Sequence, residues 1–375
     1  MFPVFTIHGQ PHERGVQYGA ACAAHIRISI ASYARLFAYL HGADWAEMQQ
    51  RALAYIPVLE QHAPDLLQEM RGIAEGARLG FAEILTLNVR TELVAGVRRA
   101  SPAPGYDDVI AANERAGVAQ HGECTTVAAF PGATAHGNTL LAQTWDWYGE
   151  QRAACVILRI EEPDAPTILT LTEAGILAKI GLNSAGVGVS LNILFSEGDG
   201  TQPNMPVHIL LRRALQQRSF ADAVDMLRAT PAAASSCITI VEATGAGASL
   251  EVTPHGVGVL EPHNGTLAHT NHCVTEPASA CEIPHLPNSS SLPRFDRAAT
   301  LLHEHHGHID QEVLMSILRD HQDVPLCICR HPEHTPAADY QPESVCGVIL
   351  DVASRVMHVA AGVPCQVPFA AVPLS

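Results

Sequence analysis

Basic residues are scarce in this 375-residue chain: 22 Lys and Arg stand against 38 Asp and Glu, for a formal net charge of −16. A nucleic-acid binder needs basic patches that displace counterions from phosphates, and docking on anionic lipid needs the same sign, so the charge argues against both partners. No unbroken apolar run is long enough to span a bilayer. Met1 to His8 lack a basic stretch followed by an apolar one, so no secretory signal is expected and cytoplasm is the expected compartment. Ten cysteines are too sparse for a disulfide scaffold, and most are expected as reduced core thiols. Aromatic residues make up only 5%, yet two of the three tryptophans flank one aspartate in Trp145-Asp146-Trp147. What the chain has is apolar bulk: 47% hydrophobic residues suit a globular protein with a sizeable core, as one large domain or two smaller ones.

The period of the sequence changes at Cys124. Before it, helical spacing predicts a helix from His12 to Leu40, a second capped by Asp44 and running to about His62, a third from Pro64, and a fourth from Phe81 to Val97. Residues 101–120, with Pro102, Pro104, Gly105 and Gly117, read as a loop. From Cys124 the period is two. Alternating segments at Thr125-Val127-Ala129, Cys155-Ile157-Arg159, Ile168-Thr170-Thr172, Val187-Val189-Leu191, Ile238-Ile240 and Leu250-Val252 are separated by Gly- and Asn-rich turns. Helices are expected at about Val207 to Gln217, Phe220 to Ala229, Arg294 to His305 and Gln311 to Arg319, with a long loop from Cys273 to Pro293. Two final strands, Val345 to Asp351 and Val356 to Ala361, are expected to close the chain. Antiparallel strands with helices in separate blocks mean an α+β fold, with two sheets between helical layers.

A cysteine that opens the first strand, in Gly122-Glu123-Cys124-Thr125-Thr126, is placed to become a new N-terminus by internal cleavage. A thiol is a weak nucleophile until an adjacent base takes its proton. If the Glu123–Cys124 bond is cut by thiol attack on the Glu123 carbonyl, the freed α-amine, with a reference pKa of about 7.7–8.0, becomes that base. Thr125 and Thr126 are the small hydroxylated neighbours of this turn. The alternative for Cys124 is a buried structural cysteine. In a strand, Asp146 lies on one face and both tryptophans on the other, so Asp146 is a candidate to orient the amine; the alternative is a solvated hairpin aspartate. Asn192 ends a hairpin where an apolar residue is expected, and Asn271 sits in the polar quartet His269-Thr270-Asn271-His272. Side-chain amides so placed can hold an oxyanion or simply cap turns.

These residues together resemble the acyl-coenzyme A:6-aminopenicillanic acid acyltransferase family of autoprocessing cysteine N-terminal-nucleophile hydrolases. Gly9-Gln10-Pro11-His12-Glu13-Arg14-Gly15 is similar to its opening segment, Cys124-Thr125-Thr126 to its processing site, and Trp145-Asp146-Trp147 to its aspartate motif. Gly181 to Gly186 with Leu191-Asn192 resembles its central hairpin, and Asp320-His321 with Ile328-Cys329-Arg330-His331 a further segment. The resemblance implies an αββα four-layer sandwich, self-cleavage before Cys124, and transfer or hydrolysis of amide-linked acyl groups. Residues 1–123 would form the α chain and 124–375 the β chain of one globular unit. By similarity to the bile-salt hydrolase and penicillin V acylase branch, Asn192, Asn271 and Arg294 serve the site. Gln143 stands where that branch carries arginine, and Glu123 where the best-known acyltransferases place glycine.

The resulting expectation is a cysteine amidohydrolase or acyltransferase acting on a small amide through a thioester. Cys124, Asp146, Asn271, Asn192 and Arg294 are the catalytic candidates, Glu123 to Thr126 the cleavage site, and Trp147 and Arg330 the substrate contacts. No metal or organic cofactor is expected. His303-Glu304-His305-His306-Gly307-His308 misses the His-Glu-x-x-His pattern, and Cys327, Cys329, His331 and His334 match no standard zinc spacing. The rival readings are a zinc hydrolase built on this C-terminal third and an unprocessed binding protein.

Overall fold

The computed structural model describes residues 1–100, 124–283, 289–332 and 342–375. The expected loop over 101–120, Gly122, Glu123 and His334 lie outside the described residues. Helix α1 (Pro11–His41) is capped at its start, where Glu13 accepts from the Gln10 N–H at 3.0 Å. Asp44 caps α2 (Trp45–Ala52) by accepting from the Glu47 N–H at 2.7 Å. The expected single helix to His62 is divided: a 3-10 turn at Leu53–Tyr55 precedes α3 (Ile56–His62), because Pro57 lacks an N–H and its ring excludes a continuous α-helical turn. α4 (Pro64–Ala77) follows, and the expected fourth helix is two, α5 (Phe81–Asn88) and α6 (Arg90–Ala100).

Helices α1 and α4 touch backbone to backbone. A Cβ at Gly15 would lie 2.1 Å from the Glu69 carbonyl oxygen, and one at Gly76 2.1 Å from that of Val16. Gly15 and Gly19 on one helix and Gly72 and Gly76 on the other are each spaced one turn apart, so the four line one contact stripe. Alanine at any of them would force the axes apart.

Two sheets follow. The first has eight strands in the order β1-β4-β5-β6-β7-β8-β9-β10: β1 (Val4–His8), β4 (Cys155–Glu161), β5 (Ile168–Glu173), β6 (Ile180–Asn183), β7 (Val187–Ile193), β8 (Ser236–Glu242), β9 (Gly247–Thr253) and β10 (Gly256–Leu260). The second has six in the order β11-β2-β3-β12-β13-β14: β11 (Thr266–His269), β2 (Cys124–Ala129), β3 (Leu140–Tyr148), β12 (Pro342–Asp351), β13 (Val356–Ala360) and β14 (Phe369–Pro373). Pairing is antiparallel except that β1 runs parallel to β4. Contrary to expectation the chain does not close on β13; β14 is added at the edge, where a terminal proline costs no ladder bond.

Helix α1 covers the first sheet through β1, β4 and β5. α7 (Val207–Leu215) covers β6 and β7, and α8 (Phe220–Ala229) covers β8 to β10. α9 (Ser291–Glu304) and α10 (Gln311–Leu318) cover the second sheet. Strands β2 and β3 lie against β7, and β12 against β6, so the sheets face each other. This is the expected α+β fold, an αββα four-layer sandwich. No helix among the described residues is long and apolar enough to cross a membrane.

Candidate active site

Cys124 is the first residue of β2 and pairs with Trp145 on β3. Directly opposed residues of antiparallel strands share a face. Cys124, Thr126, Gln143, Trp145 and Trp147 therefore face the layer between the sheets, while Thr125, Thr144 and Asp146 face the layer of α9 and α10. Strand β7 answers this arrangement. Val187, Val189 and Leu191 occupy one face, whereas Gly188, Ser190 and Asn192 turn toward the second sheet, where a Cβ on Gly188 would meet Val352 at 2.6 Å. Gln143 crosses the gap like a short strand: its Nε2 donates to the Leu191 carbonyl, and its Oε1 accepts from the Leu191 N–H at 3.2 Å. That buried amide fills both backbone valences opposite it, which explains how glutamine is accommodated there.

Three side chains from separate elements converge on the backbone of Cys124. Its N–H donates to Asn271 Oδ1 at 2.8 Å. Its carbonyl accepts from Asn192 Nδ2 at 2.9 Å and from Arg294 Nη1 at 2.7 Å. Arg294, buried in the first turns of α9, also donates to Thr125 Oγ1 at 2.9 Å, to Asn271 Oδ1 at 3.0 Å and to Ser290 Oγ at 2.8 Å. Asn192 is held by Thr126 Oγ1, which donates to its Oδ1 at 2.7 Å. The Asn271 oxygen, not its amide N–H, is turned toward Cys124, because Nδ2 donates to the Ile193 carbonyl at 3.0 Å.

The turn carrying Asn271 is anchored on both sides. Ser291 Oγ accepts from the Asn271 N–H at 2.8 Å. His269 touches the Thr270 carbonyl through Nδ1 at 2.9 Å and the Glu251 carboxylate through Nε2 at 2.7 Å. Both contacts are with acceptors, so both ring nitrogens carry protons and the ring is an imidazolium. Burial alone would depress it; the Cys237 sulfur and Glu251 hold it up at about 10. Glu251 also accepts from the N–H groups of Val274 at 2.8 Å and Thr275 at 2.9 Å.

The thiol itself is pushed up to about 11, first by burial and then by Asp146; Lys179, a hydrogen bond from the Asp146 backbone, and Arg294 pull the other way. A protonated thiol at neutral pH needs a base in contact with it. Asp146 Oδ1 accepts from Ser344 Oγ at 2.7 Å, and Ser344 Oγ accepts from the Arg330 N–H at 2.9 Å. Arg330 thus joins the site through its backbone.

Sequence reasoning missed Lys179. Its Nζ lies 3.2 Å from the Trp145 ring centroid and 3.2 Å from Glu173, in a site with 2% exposure. Burial lowers it to about 8 against the pull of Glu173. Glu173 also accepts from Tyr33 Oη and pairs with Arg90 at 3.3 Å; burial opposes its charge, but Arg90 and Lys179 hold it down at about 2. Arg90 in turn lies 5.2 Å over the Trp147 ring, which meets Tyr148 edge-on, so both tryptophans that flank Asp146 have a cation on their face. The signal was a lone lysine inside the apolar run Ile176 to Leu182.

Of the metal candidates, the 303–308 tract does not converge as a ligand set, and His306 Nε2 contacts the Asn264 carbonyl at 2.9 Å. His321, Cys329, His331 and Cys365 do converge.

A family model described as acyl-coenzyme A:6-aminopenicillanic acid acyl-transferase matches residues 134–363. The 40 kDa form of acyl-coenzyme A:6-aminopenicillanic-acid-acyltransferase from Emericella nidulans is 32% identical over 331 residues, covering 87% of this chain and 84% of that protein. Among solved structures, a variant of conjugated bile acid hydrolase from Clostridium perfringens aligns at a TM-score of 0.48 and 12% identity, covering 67% of this chain and 92% of its own. Penicillin V acylase from Agrobacterium tumefaciens aligns at 0.41 and 12%, covering 64% and 83%.

Proposed function

The chain belongs to the acyl-coenzyme A:6-aminopenicillanic acid acyl-transferase family, and from that premise we propose that it is a self-processed cysteine amidohydrolase or acyltransferase with Cys124 as nucleophile. In the precursor the Cys124 thiol attacks the Glu123 carbonyl, the Glu123–Cys124 amide becomes a thioester, and water releases residues 1–123 from residues 124–375. The new α-amine donates one proton to Asn271 Oδ1 and uses its lone pair to take the thiol proton. The thiolate attacks the acyl carbon of a small amide substrate, and the ammonium returns its proton to the leaving amine. Water or an amine acceptor then resolves the thioester. Asn271 Oδ1, an acceptor whose Nδ2 is used on the Ile193 carbonyl, holds the amine, while the donors Asn192 Nδ2 and Arg294, both on the carbonyl side of Cys124, favour the charge that develops on the oxygen. Asp146 fixes the strand that presents its backbone to the sulfur, and Trp147 and Arg330 shape the acyl site. The assignment is to a cytoplasmic enzyme whose two chains stay together.

The observation that carries this reading is the convergence of Asn271, Asn192 and Arg294 on the two backbone groups of a single cysteine. A structural thiol needs no such dedicated partners for its main chain. Denaturing electrophoresis and intact mass of active protein test it. The expected result is a fragment beginning at Cys124, and a full-length, inactive Cys124→Ala variant against a panel of N-acyl amides. Active wild-type protein that remains one 40.0 kDa chain, or turnover retained by Cys124→Ala, overturns it.

A further inference from the structure

Two stretches of chain, residues 321–331 and the turn at Cys365, bring two thiols and two imidazoles to one point. His321 follows α10, Cys329 and His331 flank Arg330, and Cys365 lies in the turn between β13 and β14. One ligand-type atom from each of the four lies within 4.8 Å of the others. His331 Nε2 is central, 3.0 Å from His321 Nε2, 3.2 Å from Cys365 Sγ and 3.9 Å from Cys329 Sγ. A tetrahedral zinc about 2.3 Å from sulfur and about 2.0 Å from nitrogen separates its ligand atoms by roughly 3.3–3.8 Å, which sub-ångström movements of these side chains reach.

We propose that His321, Cys329, His331 and Cys365 form a structural zinc site. Two sulfurs and two nitrogens are the donor set of a closed tetrahedral centre, and soft thiolates select zinc over magnesium or calcium. With four protein ligands no position is open for water, so the centre is a staple and not a hydrolytic metal. Zinc binding releases the thiol protons of Cys329 and Cys365, and the two thiolates neutralise the dication. The amide of Gln366 faces His331 Nδ1 at 3.4 Å, the outer-shell contact that fixes a ligating imidazole through its other nitrogen. Cys329 is buried, His331 half-buried, and His321 and Cys365 are exposed, so the ion has an entry path.

The position of this staple matters. Between its two central ligands stands Arg330, whose carbonyl accepts from the Ser344 N–H at 3.1 Å and whose N–H meets the Ser344 hydroxyl that serves Asp146. Zinc fastens the 321–331 segment to the 365 turn, and through Arg330 and Ser344 that segment reaches the aspartate beside Cys124.

The test uses full-length protein, reduced, loaded with zinc and freed of excess. Elemental analysis is expected to give one zinc per chain, falling below one tenth in Cys365→Ser and in His321→Ala, whose ligands are exposed and whose folding is checked by circular dichroism. Cobalt in place of zinc is expected to show intense tetrahedral d–d bands with thiolate charge transfer. Chelation is expected to lower the melting temperature by several degrees. Cys124→Ala is expected to keep the full zinc content, which separates this site from the nucleophile whatever the outcome for catalysis. Reduced wild-type protein that takes up less than one tenth of an equivalent overturns the proposal. So does an octahedral cobalt spectrum without thiolate bands, or undiminished zinc in the Cys365→Ser and His321→Ala variants.

Discussion

Two buried polar clusters of this molecule use charge in different ways. Between the N-terminal helices and the remainder, Arg14 and Arg212 alternate with Glu69 and Glu162 at 2.7, 3.3, 3.1 and 2.7 Å. Two cations meet two anions, each of the four ion pairs joins opposite signs, and the charges balance within the cluster. Around Cys124 two side-chain donors and one acceptor converge instead on the neutral main chain of one residue. The first arrangement repays desolvation by mutual attraction and fastens residues 1–100 to the rest. The second spends buried hydrogen-bonding capacity on the main chain of one residue, whose nitrogen changes from amide to amine only if the chain is cut between residues 123 and 124. A lock is charge-balanced from the start; a site holds its groups ready for a charge not yet present.

Breaking the lock gives the largest expected effect on stability. Glu69→Ala removes the carboxylate shared by Arg14 and Arg212 and leaves two guanidinium groups facing each other, at a cost of about 3–5 kcal/mol. Denaturant titration of the Cys124→Ala precursor measures it. In processed protein the same change is expected to release the two fragments on size exclusion, while undissociated molecules turn over within a few-fold of wild type. An unchanged midpoint would erase the distinction drawn above.

The complementary variant, Asn271→Ala, is expected to reverse the pattern. It removes the acceptor of the Cys124 N–H and so misplaces the proposed base. Loss of about 100-fold in kcat/KM, or about 2.7 kcal/mol, is expected with a melting temperature lowered by no more than a few degrees. Equal losses of stability and activity would mean that Asn271 is only another structural amide.

The same contrast governs what could be read in the sequence. The period change at Cys124 was plain, because β2 to β9 alternate cleanly and α1 and α4 carry helical stripes. The edge strands β1, β10 and β14 were not seen, since short strands at a sheet margin have weak alternation and take their shape from a neighbour. Asn192 was visible as an amide in an apolar position, Asn271 in a polar quartet directly after a strand, and Arg294 through the family resemblance. The opening motif was recognised without its purpose: Arg14 belongs to the lock, and Gly15 is the contact with Glu69. Lys179, and His321 and Cys365 as the partners of Cys329 and His331, escaped for one physical reason. Their meaning lies in partners from other segments, which spacing along one segment cannot express.

The Asn271 turn offers a pH test of intermediate size. His269, held at about 10 against an ordinary value near 6.5, binds a proton in the folded state that the unfolded chain lacks between those values. Its stabilising contribution is complete below about pH 6.5 and disappears as pH rises through about 10. Glu251 is held below the usual carboxylate range despite burial, chiefly by its bond to His269, so its share is present above about pH 4.3. The melting temperature of wild type minus that of Glu251→Gln is therefore expected to be largest near pH 6 and to shrink toward pH 10. A gap constant across that range would mean a neutral imidazole.

The smallest effect probes the site's own electrostatics. Lys179→Met keeps a similar volume against Trp145 and leaves Glu173 with Arg90 and Tyr33. It removes a cation that favours the Cys124 thiolate. That help is conditional, because Lys179 is itself lowered to about 8 by burial, below the value of about 11 for the thiol. Near pH 7 the ammonium is present and the wild-type thiol should alkylate faster than the variant's. As pH rises through about 8 the ammonium is lost and the two rates should converge. Peptide-resolved alkylation of Cys124 across this range reads the ratio directly. A ratio independent of pH would make Lys179 a packing residue, neutral throughout. A ratio that falls as described would place it with the site and not with the lock, although it sits in a salt bridge as the lock's arginines do.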